Sequence, residues 1–362
     1  MTKDLCDRFR NIARRNVRKK QESVTARPTV VFFVKTGDPE MIPLSEFYAV
    51  DIQILSELGF DVRCCGDPLR IPRGDLYFVW WWTWAIFPVL RAKLARKPVI
   101  IVGTFDHITS QGTFIRFHRR PGLHRLLIRA ALRFADANVV PSLDQFAAIQ
   151  SQLGATNLSY SPHVVDVKAY KPATNERSSY LLSICWMTKE NAERKCIVEL
   201  VRAFKFVHER FPALQLKICG RHGSGFSNVV ELVNNLGLQG AVEFPGLVSR
   251  ADKIHLLQHC AIYLQPTREE GFGVAILEAM ACGAPVITSG VGPVRSIAAD
   301  TVMYVDGRNP QEISSAIVNL LSQPSARAEM GRRARERARS VFPYERRKAD
   351  IEQIVTTLCS TG

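Results

Sequence analysis

The sequence predicts an α/β fold with two doubly wound, Rossmann-like domains that face a central cleft. Three observations support this fold class. The chain has 362 residues, which is more than one core of roughly 150 residues usually accommodates. Short apolar runs alternate with amphipathic segments in both halves, the pattern of a parallel sheet flanked by helices. A polar stretch at residues 164–177 separates the two halves.

The first half supplies a basic N-terminal arm at residues 1–26 and a Rossmann-like domain at residues 27–172, which we expect to bind the acceptor. TVVFFV at 29–34 predicts a buried strand, and helical periodicity follows at 44–58. Further strands are predicted around 60–62, 76–82, 98–102 and 137–140, with an amphipathic basic helix at 123–134.

The second half, residues 173–341, repeats this architecture and is expected to bind the donor. Strands are predicted at 180–184, 213–219, 241–244, 262–265 and 286–288, and helices at 196–211, 229–236 and 251–259. Residues 342–362 predict a C-terminal helix that packs back on the N-terminal domain. Doubly wound sheets bind ligands at the carboxyl ends of their strands, so we expect the site there.

Net charge is +14 and the pI is about 9.6, which indicates a polyanionic partner such as an anionic bilayer, a phosphate-bearing substrate or nucleic acid. Eight Lys or Arg residues lie between Lys3 and Lys20, and apolar residues recur there at helical spacing. The segment 3–20 is either an interfacial helix on anionic lipid or a solvated tail. No nucleic-acid-binding motif accompanies the charge, so nucleic acid is not expected.

The nine cysteines form no C-x-x-C pair, which argues against zinc sites and disulfide scaffolds and favours a reducing cytosol. The N-terminus lacks an apolar signal core, and the longest apolar stretch, 76–90, is shorter than the ~20 residues that a membrane span needs. We expect a cytoplasmic protein, with peripheral attachment to the inner face of the membrane as an open alternative. No Asp-x-Asp metal motif is present, so neither a metal nor a cofactor is expected.

The strongest motif runs from Glu269 to Ile287 and has the pattern of a strand end, a glycine loop, a helix, a turn and a strand. Gly271 and Gly273 permit close backbone approach at a helix start, where unpaired amides attract phosphate. Glu278 lies about five residues into that helix, on the order of 7 Å along its axis. The alternative is a solvated turn with helix-favouring acids.

This motif, E-G-F-G-x4-E-A-M-A-C-G-x-P-V-I, resembles the donor motif of retaining glycosyltransferase family 4, which has the GT-B fold. The resemblance extends more loosely over residues 95–345. It implies an enzyme that moves a sugar from a nucleotide-diphosphate sugar to a hydroxyl of a sugar or lipid-linked acceptor, with retained anomeric configuration. Glycan, polysaccharide or glycolipid biosynthesis is the expected setting.

The resemblance also implies roles for single residues. Glu270 would contact donor-sugar hydroxyls, Glu278 would bind the ribose, and Lys195 would neutralise the diphosphate. Backbone amides of the glycine loop would bind the same diphosphate, at Gly271, Phe272, Gly273 and Val274. Many family members have Gly-Arg after the first strand of this domain and Gly after the lysine, where this chain has Cys185-Trp186-Met187 and Cys196. The family's second phosphate-binding cation therefore has no direct counterpart in this chain. We assign that role to Arg194, because cations at a helix start are unfavourable without a counter-charge such as a phosphate.

Three further positions are candidates. Leu247 follows the strand at 241–244 and is grouped with the donor-binding residues. Gly37 follows the first strand and either admits a ligand to the backbone or is a turn glycine. His107 follows the strand at 98–102, where the family often has a catalytic histidine, although the register does not match and a structural histidine is the alternative.

Two other patterns leave alternatives open. Trp80, Trp81, Trp82 and Trp84 end a predicted strand, where indoles either stack on an acceptor or fill the core. The run from Gly220 to Gly225 has the spacing G-x-x-G-x-G instead of G-x-G-x-x-G, which disfavours a nicotinamide enzyme. A non-catalytic binding or membrane-associated module with the same fold is the rival function, and the intact set of Glu270, Glu278 and Lys195 argues against it.

Overall fold

The computed structural model describes residues 27–104, 116–174 and 177–360. The basic segment 3–20 and His107 lie outside the described residues. The chain forms two compact units: the first runs to His163 and resumes at Tyr344, and the second spans Val164–Pro343. Among the described residues, no helix is long and apolar enough to cross a membrane.

The elements alternate between strand and helix, as the periodicity predicts. The strands are β1 (Thr29–Val34), β2 (Asp61–Cys65), β3 (Leu76–Trp80), β4 (Val99–Val102), β5 (Ala137–Val140), β6 (Leu158–Tyr160), β7 (Tyr180–Ile184), β8 (Gln215–Cys219), β9 (Val242–Gly246), β10 (Ile262–Gln265), β11 (Val286–Thr288) and β12 (Met303–Tyr304). A 3₁₀ helix at Pro39–Leu44 precedes the α-helices, which are α1 (Glu46–Glu57), α2 (Ile86–Leu94), α3 (Arg116–Arg119), α4 (Gly122–Phe134), α5 (Leu143–Leu153), α6 (Lys189–Arg194), α7 (Ile197–Arg210), α8 (Phe226–Asn235), α9 (Arg250–His259), α10 (Val274–Ala281), α11 (Val294–Ala298), α12 (Pro310–Ser322), α13 (Pro324–Val341) and α14 (Tyr344–Ser360).

The first unit contains a parallel sheet whose described strands follow the order β2-β1-β3-β4-β5-β6. Its central strands are covered on both faces, which explains why β1 is a continuous apolar run. Alternate residues of β1 enter different cores: Val31 and Phe33 pack with α2 and α4, and Phe32 packs with α1 and α14. The sheet therefore separates two helical layers.

The second unit repeats this plan with the strand order β12-β11-β10-β7-β8-β9 among the described strands. The strand order reverses between β7 and β10, which are neighbours in the sheet although they lie far apart in sequence. A crevice opens at such a reversal, outside the carboxyl ends of the two strands. The loops that follow β7 and β10 are therefore the positions where the fold itself favours a ligand.

Helix α6 was not expected. The helix predicted at 196–211 is confirmed as α7, but a six-residue helix precedes it and ends at Arg194. A helix of this length shows no usable periodicity. Its start signal was nevertheless present, because the side chain of Thr188 accepts a hydrogen bond from the Asn191 amide as an N-cap.

The junction between the units also differs from the expected position. Residues 164–177 are polar, yet Val165 pairs with Pro343 and Tyr170 is buried in the second core. The boundary accordingly falls at His163 instead of Pro172. In this segment a few buried side chains outweigh the polar composition.

Candidate active site

The candidate site lies at the strand-order reversal of the second sheet. From β7 the chain enters α6, which brings Arg194 and Lys195 to the carboxyl edge. From β10 it enters the loop 266–273, which carries Glu270 and leads into α10. Two segments that are distant in sequence thus meet where the fold opens a crevice.

Gly273 starts helix α10 and has a left-handed backbone with φ of 106°, a conformation that only glycine adopts without strain. The first amides of an α-helix lack intrahelical partners, and they attract anions together with the helix dipole. The predicted glycine loop and helix start are both confirmed. Gly273 and the amides that follow it form a surface suited to phosphate.

The loop before α10 is held firmly to the end of α6. The Arg268 amide donates to the Arg194 carbonyl at 2.8 Å, and the Thr267 hydroxyl donates to the carbonyls of Arg194 and Glu269. Hydrogen bonds between main-chain and buried side-chain groups fix the loop geometry. The acid on this loop and the cations on α6 are therefore positioned together.

Glu270 is almost fully buried and is surrounded by donors. The Gln265 Nε2 amide donates to its Oε1 at 2.6 Å, Arg194 Nη1 lies 3.3 Å from its Oε2, and Lys195 Nζ lies 3.9 Å from its Oε1. Burial alone raises the pKa of this carboxyl, but the charges of Lys195 and Arg194 and the Gln265 hydrogen bond outweigh that effect. The pKa lies below its ordinary value, so the carboxylate stays ionised.

Arg194 and Lys195 lie between two helices: they precede Cys196, the N-cap residue of α7, as predicted, and they also form the end of α6, which was not predicted. The helix dipoles on the two sides oppose one another, so the position alone does not require a counter-charge. Arg194 ends α6 and Lys195 is its C-cap residue, where the helix dipole favours positive charge. What singles them out is their contacts. Arg194 Nη1 donates to the Glu269 carbonyl at 2.9 Å, and Lys195 Nζ donates to the Ile184 carbonyl at the end of β7.

Glu278 lies on the fifth residue of α10, as predicted, and its side chain is also buried. Its Oε1 accepts hydrogen bonds from Lys253 Nζ at 2.7 Å and from the Tyr170 hydroxyl at 3.2 Å. Lys253 also lies over the Tyr170 ring, 5.4 Å from its centroid. Sequence reasoning missed both partners, because α9 and the segment before β7 carry no motif that points to α10.

Tyr263 of β10 lies near both acids. Its hydroxyl donates to Gln265 Oε1 at 2.6 Å, and Gln265 in turn donates to Glu270. Burial and the negative charges of Glu278 and Glu270 raise the pKa of Tyr263 well above its ordinary value. The phenol therefore remains a neutral donor that orients the Gln265 amide toward Glu270.

The other predicted donor-binding residues are spread over the same loop and beyond it. The Phe272 side chain is part of the core and meets Phe342 edge to face, so this side chain contributes to packing. Gly271 and Val274 are half-buried, and Leu247 is exposed in the loop after β9. The structure brings Glu270, Arg194 and Lys195 into direct contact and places Glu278 on the adjoining helix.

The glycine run after β8 has a packing role. A Cβ atom on Gly220 would lie 2.1 Å from the Cys185 carbonyl oxygen, and its φ is 137°. Cβ atoms on Gly223 and Gly225 would also press on the backbone of residues 187–189. These glycines let two loops of the carboxyl edge approach closely, which accounts for the G-x-x-G-x-G pattern without a dinucleotide.

The tryptophans of the first unit divide between core and surface. Trp80 and Trp82 are buried, and the Trp82 indole donates to Asn138 Oδ1 at 2.8 Å. Trp81 is half-buried and donates to the Tyr48 hydroxyl, whereas Trp84 is exposed beneath Lys35. Gly37 lies exposed in the loop after β1. These residues belong to the first unit, whereas the charged group around Glu270 belongs to the second.

Metal ligands are not grouped in the described parts of the chain: no cluster of three or more His, Cys, Asp or Glu side chains is placed to hold an ion. The eight cysteines described there are unpaired by disulfides. Burial raises the pKa of Cys185, next to Lys195, above its ordinary value, which keeps that thiol protonated.

Comparison with known proteins places the site region in a family. A family model described as "Glycosyl transferases group 1" matches residues 184–337, from the end of β7 through α6, α10 and most of α13. A GDP-mannose-dependent monoacylated alpha-(1-6)-phosphatidylinositol monomannoside mannosyltransferase of Corynebacterium glutamicum is 31% identical over 275 residues, 70% of this chain and 69% of that protein.

Two more matches differ in extent. A D-inositol 3-phosphate glycosyltransferase of Salinispora tropica is 32% identical over 162 residues, which are 42% of this chain but only 33% of that protein. The sucrose-phosphate synthase of Thermosynechococcus elongatus superposes with a TM-score of 0.77 at 19% identity, over 93% of this chain and 100% of that one. At this identity the structural likeness concerns the fold.

Proposed function

The chain belongs to the group 1 glycosyltransferases, a family of sugar-transferring enzymes, and has the GT-B fold; from this premise we propose that it uses a nucleotide-diphosphate sugar and retains the anomeric configuration. One observation supports the donor class above the others. A buried carboxylate, Glu270, is in contact with two cations beside a glycine-initiated helix. This arrangement suits a sugar hydroxyl next to a diphosphate.

The diphosphate would interact with two kinds of positive charge. The amides at the start of α10 supply a fixed dipole, and Arg194 and Lys195 supply full charges. Charge develops on the diphosphate as the bond to the sugar breaks, and preorganised donors stabilise that charge most in a shielded site. No metal is needed in this scheme, which remains a prediction.

The two acids have separate roles. Glu270 is held ionised and accepts hydrogen bonds, so it would hold hydroxyls of the donor sugar next to the diphosphate. Glu278 is fixed by Lys253 of α9 and by Tyr170 of the segment before β7, and it would bind the ribose. The contact between Glu270 and the sugar would strengthen in the transition state, whereas the contact between Glu278 and the ribose would be the same in the ground and transition states.

Retention follows from the family resemblance. In this scheme the leaving oxygen of the diphosphate accepts the proton of the acceptor hydroxyl on the same face of the sugar, so that the new bond replaces the old one on that side. Glu270 is then a binding and orienting group, because the cations around it keep it ionised and oppose its protonation.

We further propose an acceptor in glycan or glycolipid synthesis. The relatives are a mannosyltransferase named for a phosphatidylinositol mannoside and a glycosyltransferase named for inositol 3-phosphate. Both names describe a polyol headgroup with phosphate, which fits the positive net charge of this chain. A lipid-linked acceptor is our first choice.

A thermal-shift screen against UDP, GDP, ADP and their sugars tests the donor class. A ligand at 100-fold its dissociation constant stabilises a protein by about 2.7 kcal/mol. We expect one base series to raise the melting temperature of the wild type. Failure of every nucleotide to do so would contradict the proposal.

Donor hydrolysis and transfer separate the enzyme from a non-catalytic module. We expect Glu270→Gln to lower turnover by about 10²–10³, the range for a single preorganised electrostatic group. Glu231→Gln, an exposed acid on α8, is the matched control and should keep full activity. Nucleotide binding without turnover in the wild type, under conditions with diverse polyol acceptors, would favour the binding module.

A further inference from the structure

A surface of the first unit, formed by α2 and α4, combines exposed leucines with arginines. The two helices pack side by side, and their inner sides, including Val89 and Ile128, enter the same core. Their outer sides therefore form one surface. We call this surface the basic apolar face, defined by Leu90, Leu94, Leu123, Leu126, Arg129 and Arg133.

The apolar residues of this face are unusually exposed. Leu94 is 83% exposed, Leu123 is 69% exposed and Leu126 is 61% exposed. Among the described residues, twelve large apolar side chains are exposed, and five of them lie on these two helices. Single exposed leucines are normal on a protein surface, but a group on adjoining helices marks an interaction site.

The sequence spacing in α4 places exposed leucines and arginines on the same side of the helix. Leu123 and Leu126 are three positions apart, and Arg133 follows Leu126 after seven positions, so all three lie on one side of α4. Phe134, also exposed, lies three turns beyond Leu123. Arg129 stands over the Phe117 ring at the edge of this stripe.

The charge of the face has one sign. Helices α2 and α4 contain Arg91, Lys93, Arg125, Arg129 and Arg133 and no acidic residue. From residue 76 to 135 the sequence has ten Lys or Arg residues and a single acid, Asp106. Lys93 pairs with Asp136 just beyond this stretch, so the arginines of α4 give the face its positive field.

The opposite helical layer of the same sheet, formed by α1 and α14, has no excess of cations. Helix α1 contains three acids and neither lysine nor arginine, and α14 contains three acids and three cations. The positive charge of the first unit is therefore concentrated on one side of its sheet, which a uniformly basic composition would not produce. A surface with this charge distribution distinguishes a partner by its charge.

We propose that the basic apolar face binds an anionic lipid bilayer, with leucines entering the headgroup boundary and arginines contacting lipid phosphates. An interfacial helix needs an apolar side flanked by cations, which is what α4 presents. A nucleic acid would use the arginines but leave Leu94 and Leu126 in water. The inference goes beyond the proposed reaction, because it concerns where the enzyme is held.

Vesicle cosedimentation with the full chain tests this proposal. Vesicles of phosphatidylcholine alone are compared with vesicles that also contain phosphatidylglycerol, at low and high salt. We expect binding to the anionic vesicles that weakens with salt, since each cation near such a surface adds about 1 kcal/mol, or about fivefold in affinity. Absence of binding to the anionic vesicles at low salt would overturn the proposal.

Three sets of substitutions locate the contact. Arg129→Gln with Arg133→Gln should weaken binding about 25-fold, from about fivefold for each cation, and Leu94→Glu with Leu126→Glu should weaken it at least as much. Phe206→Glu changes an exposed side chain of the second unit and should have no effect. Equal vesicle binding by the wild type and both face variants would overturn the assignment to this face.

The N-terminal arm needs its own control. Arg14→Gln, Arg15→Gln and Arg18→Gln neutralise part of the segment 3–20 in the full chain. If only these substitutions abolish binding, the arm is the lipid contact and the basic apolar face is not. If the proposal is correct, the face variants have the same melting temperature with the donor nucleotide as the wild type. Failure of the lipid-binding proposal can thus be told apart from failure of the proposed reaction.

A duplex of mixed-sequence DNA gives the remaining outcome. Anisotropy titrations with the same variants show whether the arginines serve a nucleic acid. Duplex binding lost in the arginine variant, retained in the leucine variant and not matched by vesicle binding would replace the bilayer with a nucleic acid.

Discussion

The two sheets share one plan but differ in what they place at the carboxyl edge. In the second unit the loops after β7 and β10 bring Glu270 together with Arg194 and Lys195. In the first unit the corresponding reversal lies between β1 and β3, and rings such as Trp80 and Trp81 occupy it. Strand order thus determines where a site can form, and the loop residues determine its chemistry.

Buried ion pairs show the same contrast. The first unit has a pair between Asp51 of α1 and Arg347 of α14, and both side chains are inaccessible to solvent. The pairs around Glu270 in the second unit include cations that remain 14–21% exposed. We infer that the first pair stabilises the fold and that the second group exchanges partners with a ligand. Substitutions in the two groups of charges test that difference.

The largest effect is expected for Arg347→Met. Arg347 Nε and Nη2 donate to Asp51 at 2.6 and 2.9 Å, and Nη1 donates to the Ser161 carbonyl. Removing one partner of a buried pair leaves an uncompensated charge and costs about 3–5 kcal/mol. Denaturant titrations followed by tryptophan fluorescence measure it, since four of the five tryptophans lie in the first unit.

A double variant makes that test specific. Arg347→Met combined with Asp51→Leu removes both charges, so much of the lost stability should return. If Arg347→Met alone changes the unfolding free energy by less than about 1 kcal/mol, the pair is not the fold-stabilising contact that its burial indicates.

Lys195→Ala should have a large effect on activity and a small effect on stability. The lysine stabilises charge on the departing diphosphate, and loss of one such group costs about 3–4 kcal/mol, or about 10²–10³ in kcat/KM. Lys189→Ala, an exposed lysine of α6, is the control. A variant that loses stability in step with activity would make Lys195 a structural residue like Arg347.

Lys253→Met sharpens the division of labour between the two acids. Lys253 holds Glu278 through a charged hydrogen bond, a type worth about 1.5–3 kcal/mol. We expect donor affinity to fall about tenfold or more with a smaller change in turnover, and Lys253→Arg to recover part of it. A fall in turnover at constant affinity would assign Glu278 to the reacting sugar instead of the ribose.

The sequence was sufficient to predict the fold and the position of the loop with its helix. Both depend on local patterns. Alternating apolar periodicity predicts the sheets, and a glycine at position 273, which can adopt a positive φ, predicts the start of α10. The prediction that Glu278 is about the fifth residue of this helix is confirmed. These features need no knowledge of distant contacts.

The partners of the two acids could not be predicted in the same way. Lys253 and Tyr170 reach Glu278 from 25 and 108 positions away, and no motif links these residues. Helix α6 was too short for periodicity, so the sequence did not show that Arg194 and Lys195 also form the end of a helix. Tertiary packing decides such contacts, and it leaves no local signal in one sequence.

The smallest expected effect is a pH dependence that arises from the aromatic edge of the first unit. His163 stacks on Trp80, with ring centroids 5.6 Å apart. Burial lowers the pKa of His163 well below its ordinary value, and the charge of Arg347 lowers it further. The folded protein therefore binds fewer protons than the unfolded chain once the pH falls below about 6.5. The unfolding free energy should then decrease with falling pH, by up to about 1.4 kcal/mol per pH unit.

His163→Phe preserves the ring stack and removes the titrating group, so this slope should disappear. His255→Phe, at an exposed position of the second unit, should retain it. Tryptophan-detected unfolding of the three proteins between pH 7 and pH 5 gives the comparison. A wild-type slope that persists in His163→Phe would place the responsible group elsewhere. A slope confined to His163 would instead show that the first unit, with rings at its strand reversal, loses stability on acidification through a neutral buried group. The second unit keeps its Glu270 charge over the same range, because the pKa of that carboxyl lies below its ordinary value.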